Sequence, residues 1–366
     1  MGVAEFTRAR DRLLAVDALA PSASEVCEAI VEAFHDVVRF DRCAVMTTDP
    51  QTYLPSGGTV EGFRPEDCTP FWENELADPD FNKFTDLARR LEPIATLAEA
   101  VDGDLMRSPR YAKLYASLDA PDELRLVFLA GTSCLGVGVF LRPAGAGEFT
   151  AAEVTDAGRL LPVATTVLRH AYGRIHQDAS ARAPVVVVLA PDDSVVAMSA
   201  GGMELLEDLR VNGVDGDLPG VVQVAAAKAR ATRSVTSLTT QLRGRSGRWL
   251  RLHVSPMEGD EEHVVVTVEP ARPDDLVRIL LDSYGLTPRE TDIVLLLCRG
   301  LATKEIAREL TISAHTVRDH LKVIYDKAGV TSRGELVAGL FSNHVLDRMH
   351  QQVSHVAGRT AVIVPG

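Results

Sequence analysis

Apolar residues follow two different spacings along this chain, and the changeovers between them divide it. Val26, Ile30, Val31, Phe34 and Val38 recur every three or four residues and predict a helix that begins after Pro21 and Ser22. Cys43–Thr47 and Thr59–Phe63 read as strands, with turns at Asp49-Pro50 and at Pro55-Ser56-Gly57-Gly58. An acidic, proline-punctuated stretch then runs to about Asp119. Leu124–Ala130 and Cys134–Leu141 are apolar runs joined by Gly131-Thr132-Ser133, which predicts a β-hairpin. Thr150 with Glu153 has capping-box spacing and opens a long helix through Tyr172, with a kink expected at Pro162.

From Ala183 to Pro270 strands dominate. Val185–Leu189 and Val195–Met198 flank a turn at Asp192-Asp193, and residues 235–242, 248–255 and 262–269 form three more strands. Leu250, Leu252 and Val254 alternate with Trp249, Arg251 and His253, as in a sheet covered on one face. No internal repeat is evident. Residues 271–285 carry Leu276, Ile279 and Leu280 on a short helix after Pro273.

Residues 286–341 contain four helices marked by their punctuation. Thr287-Pro288-x-Glu290 is a helix start, Gly300 a stop, and Thr303 a cap for a second helix that buries Ile306, Ala307 and Leu310. Ser313 caps a third helix in which Val317, Leu321, Ile324 and Ala328 form one stripe and His315, Arg318, Asp319, Lys322 and Tyr325 the opposite one. Gly329 ends it, and Ser332 with Glu335 opens a fourth helix bearing Leu336, Val337, Leu340 and Phe341. Two helices around a tight turn, the second polar outside, make a helix-turn-helix.

In LTPRE, KEIA, TV, HL and the GV-SR-EL segment, this stretch resembles the LuxR-type DNA-binding domain. The resemblance covers 56 residues and implies that the third helix enters the major groove. There Arg318, Asp319 and Lys322 are placed at base edges, and Lys304, Ser313, Thr316 and His320 at phosphates. Asp319 departs from many family members, which are uncharged at this position. Its carboxylate either accepts from cytosine N4 or pairs with Arg318 or Lys322 and sets their direction. Leu336, Leu340 and Val345 are expected at a dimer contact, the alternative being packing on the preceding domains.

The order helix, strands, variable centre, hairpin, closing helix resembles a GAF sensor, with GEFTAAEVTDAGRLL similar to its final helix. The strands around a helical middle in 183–270 resemble a small PAS domain. The expected fold class is therefore α+β and multidomain. It comprises a GAF-like α/β sensor (1–180), a PAS-like antiparallel-sheet domain (183–270), a linker helix (271–285), an all-α four-helix LuxR-type domain (286–349) and an unassigned tail (350–366). This order resembles that of many actinobacterial regulators with such an output domain.

Charge changes this picture in one respect. The total is −13, yet residues 286–341 hold eight basic and seven acidic residues, leaving −14 on the remainder. An acidic body repels DNA from every face except the helix-turn-helix, and pairing two such readers would offset their weak individual attraction. The five cysteines are widely spaced without metal or redox pairing, and His170/His176 and His344/His350 lie six apart, on different helix sides, so no metal or other cofactor is expected. No signal or membrane span is evident, and a cytoplasmic location is expected. Gly244-Arg245-Ser246-Gly247-Arg248 lacks the ending of a phosphate loop, no nucleophile elbow occurs, and an enzyme is not expected. Trp72, Tyr111, Tyr115 and Phe128 either line a ligand cavity or form ordinary core.

The expected function is a one-component, sequence-specific transcription regulator. It would bind double-stranded DNA as a homodimer, under control of a small-molecule or protein effector sensed by the N-terminal regions. The competing readings are an interaction module whose C-terminal helices serve assembly, and a sigma-factor-like promoter reader, which would need upstream promoter-reading helices. Residues 1–120 lack the acidic pair and phosphate-accepting aspartate of a receiver domain.

Overall fold

The computed structural model describes residues 3–19, 21–173, 183–211, 216–231, 237–257 and 259–340. Three units follow one another. In the first, α1 (Val3–Ala18) and α2 (Ala23–His35) precede β1 (Arg42–Thr48), β2 (Pro55–Glu61) and α3 (Pro65–Leu76). The short helices α4 (Phe84–Leu87) and α5 (Leu97–Ala100) flank β3 (Ile94–Thr96), and β4 (Glu123–Ala130), β5 (Ser133–Leu141) and α6 (Ala151–Gly173) close the unit. The strands form one antiparallel sheet ordered β2-β1-β5-β4-β3.

Strand alternation sorts β4 between two layers. Leu124, Leu126 and Phe128 pack toward α2 and α6, while Val127 faces the opposite layer with Trp72 and Phe84. Because both faces are covered, β5 is buried throughout and reads in sequence as an unbroken apolar run. The predicted α2, hairpin and α6 all form. Ser22 caps α2 in a full capping box, and Glu153 accepts from the Thr150 amide as expected.

Three expectations need correction here. The N-terminal helix α1 was not anticipated: it packs on α2 and α6 through Ala9 and Leu13. Pro55–Gly58 is not a turn but the start of β2. A Cβ on Gly58 (φ +140°) would stand 2.4 Å from the Val45 carbonyl oxygen, so only glycine lets β2 lie against β1. The chain as a whole is also less unrepetitive than its residues suggest. In the second unit β6 (Val185–Leu189), β7 (Val195–Met198), α7 (Gly202–Asp208), α8 (Gly220–Ala231), β8 (Leu238–Arg243), β9 (Trp249–Met257) and β10 (Asp260–Pro270) build a sheet ordered β7-β6-β10-β9-β8. Numbered within each unit, both orders are 2-1-5-4-3.

The two sheets meet at β2 and β8. Asp49 Oδ2 accepts from the Gln241 amide (2.7 Å) and Thr240 Oγ1 (3.0 Å), and Lys228 donates to the Thr52 carbonyl (2.8 Å). Of the residues expected on the open face of β9, Arg251 and His253 are half-buried, but Trp249 is buried against Tyr172 of α6 with ring centroids 5.4 Å apart. Docking of the first unit, which no local alternation can reveal, covers that end of the strand.

Helix α9 (Pro273–Ser283) joins two cores. Leu276 and Ile279 belong to the apolar cluster of the first unit, whereas Leu280 and Leu281 belong to that of the C-terminal unit. Beyond it, Gly285 (φ +64°) meets Gly131 (φ +61°) of the β4–β5 turn, and a Cβ on either would come within 3 Å of the other segment's backbone. Gly131→Ala and Gly285→Ala are each expected to cost about 1 kcal/mol or more. Since both report one contact, the double variant should cost less than the sum of the two in thermal melts. Strict additivity would mean that the contact does not couple the segments.

Among the described residues no helix is long and apolar enough to cross a membrane, and none of their titratable groups cluster as a metal site.

Candidate nucleic-acid interface

The C-terminal unit comprises α10 (Pro288–Cys298), α11 (Thr303–Glu309), α12 (Ala314–Ala328) and α13, described over residues 333–340. Ile293, Val294, Leu297, Ile306, Val317, Leu321 and Ile324 fill its centre. The starts of α10 and α12 are polar for a reason. Thr287 and Glu290 exchange side-chain and backbone hydrogen bonds at α10, and Ser313 Oγ accepts from the Thr316 amide at α12. Gly329 takes the left-handed conformation that ends α12. Thr303, expected as a cap, is instead the first residue of α11. The cap position is Ala302, whose amide donates to Glu305 (2.7 Å).

Several residues that carry the sequence resemblance are architectural. Glu290 is buried and accepts from the Lys327 ammonium at 2.7 Å, and Lys327 also donates to the Gly285 carbonyl. Burial would raise the Glu290 carboxyl, but Lys327 and the Thr287 backbone outweigh it and hold it below the usual range. Arg333 donates to the Leu301 and Leu297 carbonyls, tying α13 to the end of α10 and the turn that follows it. These bonds set the angle between α10, α12 and α13.

The polar stripe of α12 is open. Arg318, Asp319 and Lys322 are exposed on the side opposite Val317, Leu321 and Ile324, with Lys322 one turn beyond Arg318 along the helix. His315 shares this stripe, and its Nδ1 lies 2.8 Å from Asp319 Oδ2. The Asp319 carboxylate is therefore engaged by His315, and not by Arg318 or Lys322, the partners weighed from sequence. The spacing of four would have revealed this partner.

Lys304 and Ser313 are exposed at the first turns of α11 and α12, and Thr316 and His320 are half-buried beside them. Ser313 and Thr316 share a hydroxyl contact of 2.9 Å in addition to the cap. The preceding units touch α12 at its far end, where Arg169 donates to the Lys327 carbonyl. The stripe itself is left uncovered.

The leucines expected at a dimer contact lie inside their own unit. Leu336 and Leu340 are 1% and 0% exposed within the unit's own core, because four short helices need both leucines to close it. Val345 lies outside the described residues. Of the aromatic residues considered for a cavity, Trp72 and Tyr115 do line one, together with residues that sequence did not single out. Tyr111 donates to the Ala120 carbonyl, and Phe128 packs on the other sheet face.

Comparison with known proteins bears on this unit alone. Residues 284–339 match the family described as bacterial regulatory proteins, luxR family. An HTH-type transcriptional regulator of Mycobacterium bovis, Mb0914c, is 48% identical over 53 residues, covering 14% of this chain and 6% of that protein. The transcriptional activator protein ExaE of Pseudomonas putida is 45% identical over 53 residues, 14% of this chain and 25% of ExaE. The nitrate/nitrite response regulator protein NarL of Escherichia coli K12 is 48% identical over 54 residues, 15% and 25% of the two chains. The matched segment thus spans a quarter or less of these relatives. Among solved structures, SdiA in complex with octanoyl-rac-glycerol aligns over 93% of this chain and 95% of its own at 13% identity and TM-score 0.30. VqmA bound to DPO aligns over 42% and 84% at 19% identity and TM-score 0.21. Scores this low establish no shared fold.

Proposed function

We propose, from the premise that residues 284–339 are a LuxR-family helix-turn-helix domain, that this protein is a one-component, sequence-specific regulator of transcription that binds double-stranded DNA as a homodimer. The observation that carries the reading is the uncovered stripe of α12, opposite a fully buried one and on a helix braced at both ends. In this reading α12 enters the major groove. Arg318 and Lys322 donate to guanine, and Asp319, held by His315, keeps one carboxylate oxygen for an amino group of cytosine or adenine. Lys304, Ser313, Thr316 and His320 meet phosphates. The first unit is read as a GAF-like sensor and the second as PAS-like, supported by their common strand order, and their effector is a small molecule or protein. Since Leu336 and Leu340 are enclosed in their own unit, the dimer contact in this reading uses other residues. An acidic body around a nearly neutral reader confines DNA to one face, consistent with action in the cytoplasm.

Selection of bound genomic fragments supplies an operator for the test. Arg318→Ala is expected to lose about 1–3 kcal/mol of preference for it over random DNA, while Lys304→Ala weakens binding to both alike. Equal losses on both DNAs for both variants would sink the assignment.

A base-substitution series then addresses Asp319. Asp319→Asn is expected to relax preference at one base pair, and His315→Ala to relax it at that same pair to a smaller degree. A uniform change at every position would instead show that the pair only orients its basic neighbours.

A further inference from the structure

A groove of about 680 Å³ runs along α6 at the outer edge of the first sheet. Pro93, Ile94 and Leu129 bound it on the sheet side, and Gly158, Leu161 and Pro162 on the helix side.

Both walls offer main-chain groups without their usual partners. β3 lies beside β4 only at Leu124–Leu126, and the Val127 amide reaches the Pro93 carbonyl at 2.9 Å. Past that bond no described strand flanks β4 on this edge. Backbone groups two residues apart in a strand point the same way, so the Leu129 amide and carbonyl face the groove. On the opposite wall Pro162 has no amide hydrogen, and the Gly158 carbonyl four residues earlier lacks its helical donor. An extended peptide presents donors and acceptors on both of its sides, which such walls can meet.

Gly158 is not required by the chain's own packing. Glycine inside a helix is costly, and a Cβ here would meet only Ile94 Cγ2, at 4.0 Å. The missing side chain opens the groove instead.

Charge sets the ends. Arg159 is 68% exposed, and its 3.3 Å link to Asp156 is a surface pair that holds it weakly. Arg169 lines the other end and donates to the Lys327 carbonyl at 3.3 Å. The ten residues from one arginine to the other rise about 15 Å along the helix, which an extended chain spans in about five residues. Glu92 on the facing rim disfavours further acid between them.

We propose that this groove docks an extended segment of a protein partner, in which two acids about five positions apart flank uncharged residues that alternate between apolar and polar. This names the class of effector in the reading above and rests on that reading only for its consequence. An acid at Arg169 competes with the Lys327 carbonyl for one guanidinium, and Gly131 at the same end abuts Gly285, so the occupant bears on the reader's attachment.

The probe is the peptide Gly-Asp-Val-Thr-Val-Thr-Asp with fluorescein on its N-terminus, titrated with the full-length protein and followed by anisotropy. Saturable binding that weakens with salt is expected. Replacing both aspartates by asparagine should raise the half-saturation about fivefold. Arg159→Gln should weaken the parent probe more than the asparagine probe. Gly158→Leu puts a good helix former where there is room, so it should melt no lower than the parent while half-saturation rises about tenfold or more. Should it melt lower, Thr166→Trp on the same wall takes its place.

Absence of saturation, equal affinity for the two probes, or half-saturation unmoved by the filling residue would each overturn the site. A parent that ignores the peptide but loses a dimer in sedimentation on Gly158→Leu would assign the groove to a second copy and overturn it too. The Arg318→Ala comparison on DNA stands apart from these readouts. A silent groove with intact DNA preference removes this proposal alone, and the reverse result removes only the reader's role.

Discussion

Arg110→Met is expected to cost about 3–5 kcal/mol of stability, because it breaks a buried ion pair from one side only. The Arg110 guanidinium is fully enclosed, reaching Glu123 at 2.6 Å through Nη2 and both Glu123 oxygens at 3.2 Å through Nε, while its amide donates to Asp80 at 2.8 Å. Arg125 continues the cluster to Glu75 at 2.8 Å and lies over the Phe84 ring at 3.8 Å. Methionine would fill the volume but take the guanidinium from two buried carboxylates, Glu123 and Asp80, leaving Glu123 with Arg125 Nε at 3.9 Å. Without Arg110 the Asp80 carboxyl keeps its burial but loses the main charge that holds it low, so the penalty is largest where Asp80 is ionised and shrinks as pH falls. The parent protein behaves in the opposite sense. Burial would raise Asp80, but Arg110 and the surrounding donors hold it low, and its contribution is lost as pH falls. Urea melts of both proteins at pH 7.5 and pH 5 decide the matter. A variant within about 1 kcal/mol of the parent at both would mean that the cluster is not a source of stability.

Leu340→Arg is expected to unfold the C-terminal unit and abolish binding to all DNA, a larger effect than loss of any base contact. Leu340 is fully enclosed among apolar side chains on α13, so burying a guanidinium there costs several kcal/mol in a unit whose core is small. Loss of the helical signal from this unit in thermal melts, with binding lost on operator and random DNA together, is the expected result. If the variant keeps its melting temperature and DNA binding but changes from dimer to monomer in sedimentation, the leucine stripe is the dimer contact after all.

Much of this was legible in the residues. Helix α12 was fixed at both ends by Ser313 and Gly329 and on its buried side by Val317, Leu321 and Ile324, since a capped, periodic helix carries all its instructions locally. The β4–β5 hairpin and the turn at Asp193 were legible for the same reason. What escaped depends on partners distant in sequence. Pro55–Gly58 looked like a turn because Gly58 serves a close approach to Val45 that only the sheet reveals. Trp249 looked solvent-facing until Tyr172 covered it, and Leu340 looked spare until four helices closed over it. The shared strand order of the two sheets left no trace, because alternation records which face a residue takes and not which strand lies beside it. Of the candidate site, the exposed stripe was readable and the His315 contact to Asp319 was present in its spacing but passed over.

The divided loyalty of α9 bears on how such a chain could exchange parts. A cut before the helix strips Leu276 and Ile279 from the first unit, and a cut after it strips Leu280 and Leu281 from the last. A reader transplanted from another chain would arrive with a helix whose inner side was shaped for a different host. The C-terminal unit is therefore not a cassette that recombination can swap at a clean seam, and any successful graft must bring a matching strip of α6 with it.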